Sequence, residues 1–114
     1  MISIKNENII FCDVDETLVC HMTRSKDIIV KDPYDGKFLK LKIHKRHVKL
    51  LKDHKARGYT VIIWSAAGVS WCNTIVKALK LEKYVDYTMT KPGKYVDDLK
   101  ADEILGQRIY LEDK

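Results

Sequence analysis

Ile9-Ile10-Phe11-Cys12-Asp13-Val14-Asp15-Glu16-Thr17 is the stretch whose reading decides the fold. An apolar run that ends in two carboxylates one residue apart reads as a buried strand delivering acids to the carboxyl edge of a sheet. Open α/β folds keep their binding crevice there. Side chains at i and i+2 of an extended segment point the same way, so Asp13 and Asp15 are expected to face one cleft. Two carboxylates so placed repel each other unless a cation or a shared proton relieves them. The pair already hints at Mg²⁺.

Working outward, Tyr59-Thr60-Val61-Ile62-Ile63-Trp64 is the strongest buried-strand signal, β-branched and aromatic on both faces. It ends in Ser65-Ala66-Ala67-Gly68, where a hydroxyl and free amides leading toward a helix can make an anion pocket. Lys45 to Gly58 is expected as an amphipathic helix with Val48, Leu50 and Leu51 inward, and Ser70 to Leu81 as a second with Trp71, Ile75, Val76 and Leu79. Trp71 is expected to serve packing. Lys83 to Met89 is a short β-prone piece before Thr90-Lys91-Pro92-Gly93-Lys94, and Pro92 holds Lys91 in extended backbone. Tyr95-Val96 then leads into Asp97-Asp98, a helix over Leu99 to Leu105 and a last strand over Arg108 to Leu111.

Between the first strand and the first helix, Asp27 to Lys31 and Phe38 to Ile43 flank a Pro- and Gly-containing turn at Asp32 to Lys37. They read as a β-hairpin with a wide loop.

At 114 residues the chain is expected to be one domain over 1–114, with the hairpin insertion at about 18–43. Its 46% apolar and 32% charged residues exclude a disordered or fibrous chain. With no apolar stretch of membrane-spanning length and a polar start, a cytoplasmic protein is expected, without membrane association and acting as a monomer. Cys12, Cys20 and Cys72 form no CxxC pair, so neither a disulfide framework nor a zinc site is indicated and a reducing setting fits. Cys12 is expected as a small core residue. His44, His47 and His54 lack ligand spacing and are expected on the surface or helix flank. The net charge is +5, and Lys37 to Arg57 holds seven Lys, two Arg and three His against Asp53 alone. Such a basic face either attracts polyanions or is a solvated helix surface.

Asp-x-Asp-x-Thr after a hydrophobic strand resembles the first motif of the haloacid dehalogenase superfamily, most of whose members are Mg²⁺-dependent phosphotransferases. Ser65 after the second strand, the Lys91-Pro92 pair and the Asp97-Asp98 pair resemble its later motifs, in order and over nearly the whole chain. Response-regulator receivers also combine acids, a hydroxyl and a lysine. They place the phosphoryl acceptor on a middle strand, whereas here the middle strand ends in Trp64-Ser65.

The resemblance implies a three-layer Rossmann-like α/β fold, a parallel sheet flanked by helices, with the hairpin as flap and no large cap. It implies Asp13 as nucleophile, forming an aspartyl-phosphate, and Asp15 as general acid and base. Thr17 would steady the loop; Ser65, with the amides around Ala66, would bind phosphoryl oxygens. Lys91 would neutralise charge, with Lys94 as its rival. Asp13, Asp15 through its backbone carbonyl, and Asp98 would hold Mg²⁺, with Asp97 as partner. The function implied is a phosphomonoester hydrolase, with nucleic-acid ends, as in the phosphatase half of polynucleotide kinases, and nucleotides both open as substrates. The alternative is a phosphate- or nucleic-acid-binding domain of the same fold without turnover.

Overall fold

The structure, a computed structural model, describes residues 6–112. After a short 3₁₀ turn the chain enters β1 (Ile9–Cys12), then β2 (Val19–Cys20), β3 (Ile28–Lys31) and β4 (Phe38–Ile43). Next come α1 (Lys45–Ala56), β5 (Thr60–Ser65), α2 (Val69–Ala78), β6 (Tyr87–Thr90) and the single turn α3 (Ala101–Ile104). Two sheets result: a parallel one in the order β1-β5-β6 and an antiparallel one in the order β2-β4-β3.

The parallel sheet grows in one direction, β1 to β5 through α1 and β5 to β6 through α2. Right-handed crossovers taken in one direction put both helices on the same face. Burial agrees: Val61, Ile63 and Ser65 alternate as buried residues along β5. They lie in or against a core with Leu51 of α1 and Trp71, Cys72, Ile75 and Val76 of α2. Fully burying side chains such as Leu51, Ile63 and Ile75 stabilises by about 2–3 kcal/mol each, so this face carries the cohesion of the sheet.

The opposite face does not gain the second helical layer of a three-layer fold among the described residues. Ile9, Phe11, Tyr87 and Met89 share that face and remain exposed, and α3 buries nothing.

The insertion behaves as expected and gains a strand. β3 and β4 pair from Ile28↔Leu41 to Lys31↔Phe38, and β2 joins β4 through Val19↔Ile43. The turn is held by side chains reaching back to backbone: Asp32 Oδ1 accepts from Tyr34 N–H at 2.8 Å and Asp35 Oδ1 from Lys37 N–H at 2.9 Å. Gly36, at φ 73°, supplies the left-handed residue that closes it.

Two expectations are corrected. Arg108 to Leu111 is not a strand; the N–H and C=O of Leu111 bond to the imidazoles of His47 and His44 instead of a neighbouring chain. Those two histidines are accordingly buried, 0% and 4% exposed, rather than on the surface. Burial is tolerated because both nitrogens of each ring have partners.

Candidate active site

β1 stops at Cys12, and the chain turns into the loop Asp13 to Leu18 at the carboxyl edge of the sheet. That loop is over-determined. The N–H groups of Thr17, Leu18 and Val19 all point to the Val14 carbonyl, at 3.2, 2.8 and 3.2 Å. Glu16 N–H donates to Val19 O at 2.7 Å while Glu16 sits at φ 62°, a conformation that side chains rarely adopt. Strain of this kind persists where surrounding bonds enforce it, and it clusters at working loops. Val14 and Leu18 are fully buried under the loop, leaving Asp13, Asp15 and Thr17 at its half-buried upper side.

Period-two alternation carries one row of side chains past the strand ends. Phe11 and Asp13 continue β1, Trp64 lies on β5, and Met89 and Lys91 continue β6 on the same face. Lys91 N–H donates to Ser65 O at 2.9 Å, extending the β5–β6 ladder by one rung. From there its ammonium passes over the Trp64 ring, 5.7 Å from the centroid, and reaches Asp13 Oδ1 at 3.1 Å. The other Asp13 oxygen accepts from Thr17 Oγ1 at 3.1 Å. Both partners of this ion pair keep about a third of their side-chain surface in solvent, 34% and 33%. The carboxylate is thus held from two sides and open on a third. Lys94, the rival lysine, is exposed.

Asp15 is held differently. Its Oδ1 pairs with His21 Nε2 at 2.7 Å, and the Trp71 indole N–H donates to Oδ1 at 3.1 Å and to Oδ2 at 3.2 Å. The two aspartates therefore share a loop but have different chemical settings: an ammonium and a hydroxyl at Asp13, an imidazole and an indole at Asp15. Neither His21 nor the Trp71 N–H was legible from spacing. Trp71 does pack in the core, 4% exposed, and its polar tip reaches the site as well.

Ser65 ends β5, 1% exposed, and its Oγ accepts from Ala67 N–H at 3.0 Å in the turn before α2. Ala66 and Ala67 are exposed there, but the Ser65 hydroxyl expected to bind phosphoryl oxygens is buried, and the amides of Ala67, Gly68 and Val69 are taken by Ser65 Oγ, Ser65 O and Thr90 Oγ1. Gly68 opens α2 at φ 109° and ψ 159°. A cleft of about 310 Å³ is lined by Asp15, His21, Ala67 and Trp71 on one side and by Asp32, Tyr34 and Leu39 of the hairpin on the other. The flap leans over the second aspartate.

Asp97 and Asp98 lie on an exposed stretch without regular structure, and Asp97 Oδ1 accepts from Leu99 N–H at 2.8 Å. The structure does not gather them with Asp13 and Asp15: among the described residues no group of three or more His, Cys, Asp or Glu is placed to hold a metal ion. What is present is the donor set that Mg²⁺ accepts with few protein ligands, an open carboxylate at Asp13 with a second acid two residues on. Asp13 and Asp15 fit the ion. Asp97 and Asp98, as placed, add nothing to it.

Beside Asp13, burial first and then the neighbouring Asp13 charge push the Cys12 thiol up to about 12, away from the thiolate. Cys20 and Cys72 are also buried, and neither is in a disulfide.

A parallel α/β sheet with an Asp-x-Asp-x-Thr loop at its carboxyl edge, a lysine on the first aspartate and a hydroxyl closing the next strand defines a phosphatase-type domain of the haloacid dehalogenase superfamily. Within it, the chain belongs to the NLI interacting factor-like phosphatase family, whose sequence model matches residues 8–110. Comparison with curated proteins and with solved structures gives no match. No helix among the described residues is long and apolar enough to cross a membrane.

Proposed function

We propose that this chain is a Mg²⁺-dependent phosphomonoester hydrolase that works through an aspartyl-phosphate on Asp13. The observation that carries the reading is the Lys91–Asp13 pair at 3.1 Å with Thr17 Oγ1 on the other carboxylate oxygen, which orients the nucleophile from both sides.

In the first displacement an Asp13 oxygen attacks phosphorus in line; the P–O bond to the leaving group breaks and an acyl-phosphate forms. Asp15 donates a proton to the departing oxygen. In the second displacement Asp15 takes a proton from water, whose oxygen attacks the acyl-phosphate, returning Asp13 and releasing phosphate. His21 and Trp71 set the direction of the Asp15 carboxyl through its oxygens. Lys91 and the backbone amide of Ala66 offset charge on the phosphoryl oxygens. Mg²⁺ would be held by Asp13 and the backbone carbonyl of Asp15, and Asp98, with Asp97 beside it, would join them only once the exposed arm that carries both moves in. When bound, the ion supplies neutralisation of phosphoryl charge. Lys94 is left with an accessory part in substrate binding.

The substrate proposed is an exposed phosphomonoester such as a nucleic-acid end, with a nucleotide as the smaller candidate. Tyr34 and Trp71 line the cleft beside Asp15, where a planar group fits, and the basic residues of α1 supply attraction at longer range.

Purified protein with Mg²⁺ is expected to release phosphate from an aryl phosphate, and Asp13→Asn to lose turnover by about 10³-fold or more with its circular dichroism unchanged. A fully active Asp13→Asn protein would end the nucleophile assignment. Comparing a 3′-phosphorylated oligonucleotide with a mononucleotide across a salt series separates the two substrates, since only the polyanion should lose rate as salt rises.

A further inference from the structure

Away from the carboxylates, His44 and His47 form a buried unit that the chemistry described so far does not use. Their rings stack at 3.7 Å between centroids, 12° from parallel. The bonds around them fix the hydrogen on each. His44 Nδ1 accepts from His47 N–H at 3.2 Å, so its Nε2–H donates to Leu111 O at 2.7 Å. His47 Nε2 accepts from Leu111 N–H at 2.8 Å, so its Nδ1–H donates to Thr17 O at 2.7 Å. Both rings are therefore neutral, in opposite tautomers. Together they grip the N–H and C=O of one residue, Leu111, much as a neighbouring strand would.

The grip ends on the nucleophile loop. Thr17 O takes the His47 proton while Thr17 Oγ1 donates to Asp13 Oδ2. Tyr110, next to Leu111, donates its hydroxyl to Glu16 O at 2.9 Å, and its ring packs edge-on against His47 at 5.1 Å. His44 N–H donates to Leu18 O at 2.9 Å. Three bonds thus tie the start of α1 and Tyr110 to Glu16, Thr17 and Leu18.

We propose that His44 and His47 are positioning residues for the Asp13 nucleophile, a neutral imidazole pair that clamps the backbone of Leu111 and holds Thr17 where its hydroxyl orients Asp13. The catalytic part of this statement rests on the phosphatase reading; the clamp itself does not. A third proton on the pair has no acceptor: on His47 Nε2 it would face Leu111 N–H, and on His44 Nδ1 it would face His47 N–H. Burial holds the His47 imidazole below its ordinary pKa, opposed by the bond to Thr17 and helped by His44 and Arg46. The other groups near the unit are Tyr110, with Arg108 over its ring at 5.3 Å, and the Glu16 backbone. Because the folded value is depressed, the clamp contributes its full stability above the unfolded value of about 6.5 and is lost as pH falls on through the lower, folded value.

The test begins with ring-nitrogen NMR of the full chain at neutral pH. The expected spectrum has one Nε2–H ring, His44, and one Nδ1–H ring, His47; an imidazolium or the reverse pair of tautomers overturns the clamp. Kinetics with an aryl phosphate and Mg²⁺ test its consequence. His47→Phe should lower kcat about tenfold with KM within about twofold, and His47→Gln, which keeps one donor and one acceptor, should recover most of it. In a Thr17→Val background His47→Phe should cost less than about twofold, because the hydroxyl it positions is already gone. Equal losses in both backgrounds would overturn the route through Thr17. Amide exchange at Thr17, Leu18 and Val19 should quicken in His47→Phe, and unchanged exchange also overturns it. A parent protein without turnover sinks the phosphatase reading alone, since tautomers and exchange decide the clamp independently.

Discussion

Trp71 joins the core to the chemistry through one atom. Its ring is buried among Ile75, Val76 and the β5 side chains, and its indole N–H bridges both oxygens of Asp15. Trp71→Phe keeps most of the packing and deletes the donor, so the melting temperature should move by only a few degrees while the Asp15 carboxyl loses one of its two holds. A hydrogen bond is worth about 0.5–1.5 kcal/mol net, so a fall of about tenfold in kcat, about 1.4 kcal/mol, is the upper end of the expected loss. Under the proposed mechanism, in which Asp15 serves the leaving group, the loss should be larger for an alkyl phosphate than for a nitrophenyl phosphate; equal losses across leaving groups would detach Trp71 from acid catalysis. The contrast with Asp13 says what spacing can reveal. The position of Asp13 was legible because the end of β1 fixes where it points, whereas Asp15 and Thr17 are placed by the loop that follows and only Asp15 lines the cleft beneath the hairpin. Ser65 and Lys91 were legible as termini of the next two strands. His21 and the Trp71 N–H were not, because they meet Asp15 only through a chain reversal and a rotamer, neither of which leaves a periodic trace.

The hairpin turn comes closest to the start of α2 at Gly68. Gly68 sits at φ 109° and ψ 159°, a region closed to side chains, and a Cβ there would overlap the Tyr34 hydroxyl of the hairpin turn. Gly68→Ala should therefore destabilise by about 2 kcal/mol, read as a lower urea midpoint, and should push the Tyr34 turn off the cleft. Tyr34→Phe in the same background, which clears the overlapping hydroxyl, should recover part of that loss; no recovery would locate the whole effect in the backbone. The hairpin itself was legible from its Pro- and Gly-marked turn and flanking β-prone runs. The 108–111 segment shows the opposite. Its Arg-Ile-Tyr-Leu pattern reads as a strand, yet the N–H and C=O of Leu111 are taken by His47 and His44. Side chains that satisfy a backbone as well as a ladder does are invisible to a propensity argument.

At the scale of the molecule the helical face is closed and the chain from Pro92 to Ile109 is open. Tyr95, Val96, Leu99, Leu105 and Ile109 are exposed, Val96 completely. The radius of gyration, 15.0 Å over extents of 50 × 30 × 25 Å, exceeds the roughly 13 Å of a compact chain this long. An exposed stretch with few buried contacts opens at little free-energy cost, so trypsin should cut after Lys94 and Lys100 before the lysines of α1, whose backbone is locked in helix. Pro92 protects the bond after Lys91. This arm carries Asp98, and the sheet face exposing Ile9, Phe11, Tyr87 and Met89 offers apolar surface for its own exposed side chains. A role for Asp98 at the metal requires the arm to come in. Mg²⁺ with a phosphate analogue should then slow cleavage after Lys94 and Lys100 by about fivefold or more, following the mass-action stabilisation of the state that binds. Asp98→Asn should remove that protection while leaving cleavage of the free protein unchanged. Cleavage that ignores Mg²⁺ and the analogue would leave the ion to Asp13 and Asp15 alone, and Asp98 would drop out of the site.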